Sequence, residues 1–110
     1  MKITQEKIND VAVCILDGEV DINTSPELRK ACDLLIKNNE KKVLIDLSGA
    51  TYIDSSGLAT IIEMFQRLKK TGGHLRLSSM SEKVKNVFEI TKLYKLFEIF
   101  DTRDAALKDF

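Results

Sequence analysis

Two short runs of strand-forming residues open the chain and predict a β-hairpin. The runs extend from Ile3 to Ile8 and from Val11 to Leu16. Asn9-Asp10 separates them, and a two-residue polar pair suits a tight turn between antiparallel strands. Asp17-Gly18-Glu19 then interrupts the second run, so we expect the second strand to end there.

Helical periodicity follows and alternates with further strand-like runs. Thr24-Ser25-Pro26-Glu27 predicts a helix start, because it combines a hydroxyl cap, Pro at the first helical position and Glu three residues after Thr24. Apolar residues then recur at helical spacing as far as Asn38-Asn39. The later predicted elements are a strand from Val43 to Leu47, a helix from about Asp54 to Lys70, a strand from Leu75 to Ser78, a helix from Ser81 to Thr91, an apolar run from Leu96 to Phe100 and a last helix from about Thr102.

This order of elements predicts an α/β fold with a mixed β-sheet. An N-terminal antiparallel hairpin is followed by parallel strands that helical crossovers connect, which gives about four α-helices in all. A chain of 110 residues can bury its own core without disulfides or a structural metal, so we expect a single domain over residues 1–110. Binding sites in such sheets gather at the carboxyl ends of the parallel strands. Asp54 to Gly57 lies at that edge.

Charge and composition narrow the range of functions. The 17 Lys and Arg residues balance 17 Asp and Glu residues, so no global basic field attracts nucleic acid. The N-terminus lacks the apolar stretch of a secretory signal, and no run approaches the length of a membrane span. We therefore expect a cytoplasmic protein that makes no direct membrane insertion. Cys14 and Cys32 are expected to be free thiols on apolar faces.

The sequence does not favour catalysis, a cofactor or a metal site. A serine hydrolase needs a base, but the only histidine, His74, directly follows the Gly72-Gly73 helix stop. Asp54 to Gly57 also lacks the Gly that precedes the serine in a nucleophile elbow. A Gly-Lys-Ser/Thr phosphate loop is missing, and Cys14, Cys32 and His74 are not spaced as zinc ligands.

Asp54-Ser55-Ser56-Gly57 places two hydroxyls and a carboxylate where a strand ends and a helix begins. A capping residue at this position stabilises a helix by about 1 kcal/mol and accounts for one of the three side chains. A phosphorylated serine is the alternative, because a helix N-terminus presents N–H donors and a positive dipole to an anion. The residues alone leave both interpretations open. A neighbouring acidic segment, which suits a basic partner, contributes Asp10, Asp17, Glu19, Asp21 and Glu27.

Three motifs in a fixed order give the chain a family resemblance. They are Gly18-Glu19-Val20-Asp21, Val43-Leu44-Ile45-Asp46-Leu47-Ser48 and Tyr52-Ile53-Asp54-Ser55-Ser56-Gly57-Leu58. With these motifs the chain resembles the bacterial anti-sigma-factor antagonists, which consist of a STAS domain, from about residue 3 to residue 108. The family often has Gly after the last motif, whereas Ala59 stands here.

The resemblance implies a regulatory protein and not an enzyme. Such a protein binds an anti-sigma factor that has serine kinase activity, and so releases a sigma factor for transcription. Phosphorylation of the first serine of the motif switches the protein off, which carries over to Ser55 with Ser56 as the fallback, and a serine phosphatase resets it. STAS domains also serve as accessory subunits of lipid-transport ABC complexes and of stress-signalling scaffolds, and these functions are the alternatives.

The expected partner surface combines the loop after the second strand with the start of the second long helix. Its members are Gly18, Glu19, Asp21, Asn23, Thr24, Asp54, Ser55, Ser56, Gly57 and Leu58. Asp21 is expected to be a solvent-exposed loop charge. Its replacement by Ala is therefore expected to weaken partner binding while leaving the melting temperature nearly unchanged.

Overall fold

A computed structural model describes residues 1–110 and contains one five-stranded sheet. The strands are β1 (Lys2–Ile8), β2 (Val11–Val20), β3 (Lys42–Ile53), β4 (His74–Ser78) and β5 (Glu98–Phe100). They lie side by side in the order β1-β2-β3-β4-β5, with β1 antiparallel to β2 and every other pair parallel. The predicted mixed sheet is confirmed.

Four helices cover the two faces of the sheet. They are α1 (Ser25–Lys37), α2 (Ser55–Lys70), α3 (Glu82–Ile90) and α4 (Arg103–Leu107), and a 3₁₀ turn occupies Leu93–Lys95. The apolar stripes of α1, α2 and α3 form the larger core on one face, where Leu28, Ile61 and Phe88 are almost completely buried. On the other face, α4 packs Ala106 against Val11, Val13 and Leu44. Covering both faces is what the continuous apolar runs of β2 and β3 require.

Both central strands are longer than the sequence pattern predicts. β2 does not end at Asp17 but continues to Val20, because its register with β3 shifts between Ile15 and Asp17 and again between Gly18 and Glu19. Such irregularities let polar residues enter a strand without breaking its pairing. β3 likewise continues past Leu47 to Ile53. As a result, β2 and β3 reach the carboxyl edge of the sheet together.

The last strand is shorter than the predicted run from Leu96 to Phe100. β5 begins at Glu98, and the preceding Phe97 is buried in the core. Its ring meets Phe65 and Phe88 edge-to-face, with centroid distances of 5.3 and 5.9 Å. Aromatic packing therefore replaces strand pairing at the start of this run.

An ion pair attaches α4 to the sheet. The Asp46 carboxylate is 2% exposed and accepts hydrogen bonds from Arg103 Nε at 2.8 Å and from the Ser48 N–H at 2.9 Å. Arg103 Nη2 lies 2.7 Å from the same Asp46 oxygen as Nε. Burial raises the pKa of Asp46, but the hydrogen bonds from Ser48 and Arg103 outweigh burial and hold that pKa below its ordinary value.

The two cysteines are free and buried. Burial raises the pKa of Cys14 to about 12 and that of Cys32 to about 11, so both thiols stay protonated near neutral pH. The prediction that they lie on apolar faces is confirmed. Among the helices, none combines the length and the apolar character needed to cross a membrane.

Candidate functional site

Asp54 caps the N-terminus of α2. Its backbone is extended, and its Oδ1 accepts a hydrogen bond from the Gly57 N–H at 3.0 Å. A side-chain cap of this kind satisfies one of the helix N–H groups that have no partner within the helix. The Asp54 carboxylate is therefore the cap of this helix, and neither the Ser55 nor the Ser56 hydroxyl serves as one.

The same carboxylate joins α2 to the loop after β2. Asp54 Oδ2 accepts a hydrogen bond from the Ile22 N–H at 3.2 Å, and the Asp54 N–H donates to the Val20 carbonyl at 3.1 Å. Val20 and Ile53 are also direct partners in the parallel pairing of β2 with β3. The structure therefore brings together the two segments that the sequence suggested as one surface.

Gly57 allows α2 to start this close to the end of β2. A Cβ atom at position 57 would lie 2.6 Å from the Val20 carbonyl oxygen and 2.9 Å from Ile53 Cγ1. Contacts that short mean that a side chain at position 57 would force the start of the helix to shift. Gly57 and Leu58 are both buried, so these two members of the suggested surface position the helix and present no side chain to a partner.

Ser55 is the accessible hydroxyl of the motif. It is the first residue of α2, it is exposed, and its side chain makes no hydrogen bond. Ser56 is half-buried, and its carbonyl accepts a hydrogen bond from Thr60 Oγ1 at 3.0 Å. Of the two serines, Ser55 is the one that an enzyme reaches without disturbing the helix.

Asp21 is not the free loop charge that the sequence suggested. Its Oδ1 accepts hydrogen bonds from the Asn23 N–H at 2.9 Å and the Thr24 N–H at 3.1 Å, and it lies 3.2 Å from Thr24 Oγ1. Desolvation raises the pKa of Asp21, but these hydrogen bonds outweigh desolvation and hold the pKa below its ordinary value. Asp21 therefore organises the turn that leads from β2 into α1.

Thr24 is the N-cap residue of α1, but its side chain makes no capping hydrogen bond. Thr24 Oγ1 instead donates to the Glu19 carbonyl at 2.7 Å and accepts from the Asp21 N–H at 2.9 Å. Ser25 Oγ donates to the Asp21 carbonyl at 2.6 Å. The prediction that a hydroxyl caps this helix is wrong, because the Thr24 hydroxyl closes the preceding turn instead.

Two exposed side chains near Ser55 were not among the suggested site residues. Ile22 is 70% exposed, and Tyr52 is 41% exposed with Lys83 Nζ 5.6 Å from its ring centroid. In the sequence, Ile22 is an apolar residue within a polar loop, and Tyr52 stands two residues before the Asp-Ser-Ser-Gly motif. We call the surface formed by Glu19, Asp21, Ile22, Tyr52 and Ser55 the serine edge.

The serine edge holds a hydroxyl and carboxylates but lacks a nearby histidine. His74 pairs with Lys42, the first residue of β3, whereas Ser55 follows Ile53, the last residue of that strand. The two side chains therefore lie near opposite ends of β3. No group of three or more His, Cys, Asp and Glu side chains has an arrangement able to hold a metal ion.

Residues 2–106 match the profile of the STAS domain family. The anti-sigma-B factor antagonist of Bacillus subtilis (strain 168) is 35% identical over 91 residues. That alignment covers 83% of this chain and 82% of the Bacillus protein. Sequence likeness therefore extends over most of both chains.

Solved structures share the fold. The Thermotoga maritima protein TM1081 superposes with a TM-score of 0.92 at 26% identity, over 97% of this chain and 92% of that protein. The phosphorylated form of the Bacillus anti-sigma factor antagonist SpoIIAA superposes with a TM-score of 0.76 at 19% identity, over 96% of each chain. With its sheet order, its Asp-Ser-Ser-Gly helix start and these likenesses, the chain belongs to the STAS domain family, whose members similar to it include anti-sigma factor antagonists.

Proposed function

We propose that this protein is an anti-sigma factor antagonist whose binding is switched off by phosphorylation of Ser55. The observation that carries the proposal is the exposed Ser55 hydroxyl, which makes no hydrogen bond at the capped start of α2. Asp54 connects that helix start to the loop that contains Ile22, so a modification at Ser55 lies within a continuous surface. The similarity to the Bacillus subtilis anti-sigma-B factor antagonist supports an anti-sigma factor as the partner.

Binding, and not catalysis, accounts best for the chemistry of the serine edge. A nucleophilic serine needs a base within hydrogen-bond reach, and the only histidine lies near the opposite end of β3 from Ser55. An exposed apolar side chain, Ile22, and a partly exposed aromatic one, Tyr52, are instead typical of protein interfaces. The partner supplies the kinase activity and its ATP, and a separate serine phosphatase removes the phosphate.

A phosphate on Ser55 changes the electrostatics of this surface without unfolding it. Phosphoserine adds a charge of about −1.5 to −2 at pH 7. The neighbouring Asp54 and Asp21 carboxylates are already negative, so the phosphate makes one edge of the sheet strongly anionic. The helix N-terminus compensates part of that charge within the folded protein, because its dipole favours anions.

The same charge opposes a complex in which Ser55 is buried. A desolvated charge left unpaired in an interface costs about 2–5 kcal/mol. Because about 1.4 kcal/mol corresponds to a factor of ten, the affinity falls by a factor of about 30 to several thousand. That range separates a bound from a free state at cellular concentrations, which is what a switch needs.

Phosphate transfer from the partner kinase tests this proposal. We expect the wild-type protein to take up one phosphate from ATP in the presence of the anti-sigma factor kinase of the cells that produce it. Peptide mapping should locate that phosphate on Ser55. Ser55→Ala then takes up none, whereas Ser56→Ala, the matched control one residue further along α2, is modified like the wild type.

Two results would contradict the proposal. Phosphate on Ser55→Ala would move the acceptor elsewhere. A protein that stays unmodified and copurifies with a membrane ATPase would instead fit the accessory subunit of a lipid-transport complex.

A further inference from the structure

A groove of about 610 Å³ lies between α3, the Leu93–Lys95 turn and β5. Its volume falls within the range of about 300–1,000 Å³ that is typical of small-molecule sites. β5 is the edge strand of the sheet, so no further strand closes the groove on that side. None of the lining residues belongs to the serine edge.

The groove has an apolar floor and one exposed aromatic side chain. Phe88 and Phe97 lie beneath it, touch edge-to-face and are only 1% and 5% exposed, so the apolar surface open to a ligand comes from Tyr94 and the half-buried Ile99. Tyr94 is 48% exposed, so part of its ring surface is free for contact. Aromatic rings bind apolar groups through their area and attract cations through their negative faces.

The charged lining residues have a net charge of −1. They are Lys85, Glu89 and Asp101, and none of the three side chains forms a salt bridge or a side-chain hydrogen bond within the protein. Lys85 and Glu89 are four residues apart on α3 but form no ion pair, so two free carboxylates stand against one ammonium group.

We propose that this groove binds a small organic cation with an apolar body. The body contacts Tyr94 and Ile99, and the cationic group faces the carboxylates of Glu89 and Asp101. An anionic ligand meets two carboxylates against one ammonium group. A neutral ligand gains the apolar contacts alone, so the charge of the ligand decides its affinity.

Three ligands of nearly equal shape test the proposal by NMR titration of the ¹⁵N-labelled protein. They are the benzamidinium cation, neutral benzamide and the benzoate anion. We expect benzamidinium to bind with a dissociation constant of about 1–10 mM. It should bind about threefold or more tightly than benzamide, and benzoate least tightly. The amide shifts should centre on residues 85–101, and raising NaCl from about 50 to about 500 mM should reduce the preference for the cation.

Variants separate the charge from the apolar contacts. We expect Glu89→Gln combined with Asp101→Asn to abolish the preference for benzamidinium while leaving the affinity for benzamide unchanged. Glu82→Gln is the matched control, because Glu82 is an exposed acid of α3 that does not line the groove. If the double variant fails to fold in a thermal scan, Glu89→Gln alone should still reduce the preference.

Three results would overturn the assignment. One is equal binding of the three ligands or tighter binding of benzoate. The second is a set of shifts that maps outside the groove. The third is a preference for benzamidinium that survives in the folded double variant.

Discussion

Replacing Gly57 by Ala should disconnect α2 from the end of β2. The new Cβ atom would lie 2.6 Å from the Val20 carbonyl oxygen, and both of these atoms are fixed by backbone. Because neither atom belongs to a flexible side chain, the helix start has to move away from β2. The Asp54 carboxylate moves with it, so the hydrogen bond from the Ile22 N–H should weaken as well.

Two opposing terms set the size of the effect. Overpacking of a close contact costs about 1–3 kcal/mol, and the short backbone contact places Gly57→Ala in the upper part of that range. Ala is favoured over Gly in a helix by about 1 kcal/mol, which offsets part of the cost. We therefore expect the free energy of unfolding to fall by about 1–2 kcal/mol. That corresponds to a melting temperature about 4–12 °C lower.

Thermal unfolding followed by circular dichroism measures the loss, and hydrogen exchange of the Ile22 amide reports the local contact. Ala59→Gly is the matched control, because Ala59 is exposed on the same helix. It should lose about 1 kcal/mol through helix propensity alone, without a specific change at Ile22. A Gly57→Ala protein as stable as the wild type, with an unchanged Ile22 amide, would refute the close-approach explanation.

Three further substitutions test the site and its support. Ser55→Asp should leave the circular dichroism spectrum unchanged and raise stability by about 0.3–1 kcal/mol, and an unfolded protein would contradict the dipole argument. Asp21→Ala should lower the melting temperature, because the Asp21 carboxylate accepts hydrogen bonds from two backbone N–H groups, and Asp21→Asn, which keeps one acceptor oxygen, should lower it less. Arg103→Met leaves the buried Asp46 carboxylate without its ion pair and should cost about 3 kcal/mol at pH 7. Because the folded-state pKa of Asp46 is lowered, that stabilisation should be complete above the ordinary Asp pKa of about 3.9 and should be lost as the pH falls from there through the lower folded-state pKa, which urea titrations across the pH range check.

Local periodicity predicted the hairpin, the crossover order and the start of α2. These features depend on residues close together in sequence, such as Asn9-Asp10 between two apolar runs and the capping Asp54 before an amphipathic helix. The carboxyl-edge rule for parallel strands then sufficed to place the loop after β2 beside Ser55. Sequence order alone therefore located the candidate site within the fold.

Features that depend on distant residues were not predicted. β2 passes through Asp17-Gly18-Glu19 because pairing with β3 outweighs the local preference of these residues for a break. The contact of Lys83 with Tyr52 joins residues far apart in the chain, so no local pattern announces it. Asp21 was interpreted by its charge alone, whereas its hydrogen bonds to Asn23 and Thr24 give it a structural role that also bears on stability.

The affinity of the anti-sigma factor for the two forms of this protein decides whether phosphorylation of Ser55 is the switch. Protein that carries phosphoserine at position 55, introduced during translation, can be compared with the unmodified protein by calorimetric titration of the same purified partner. We expect tight binding of the unmodified form and an affinity lower by a factor of about 30 or more for the phosphorylated form, with both forms folded. Equal affinity of the two folded forms would contradict a switch at Ser55.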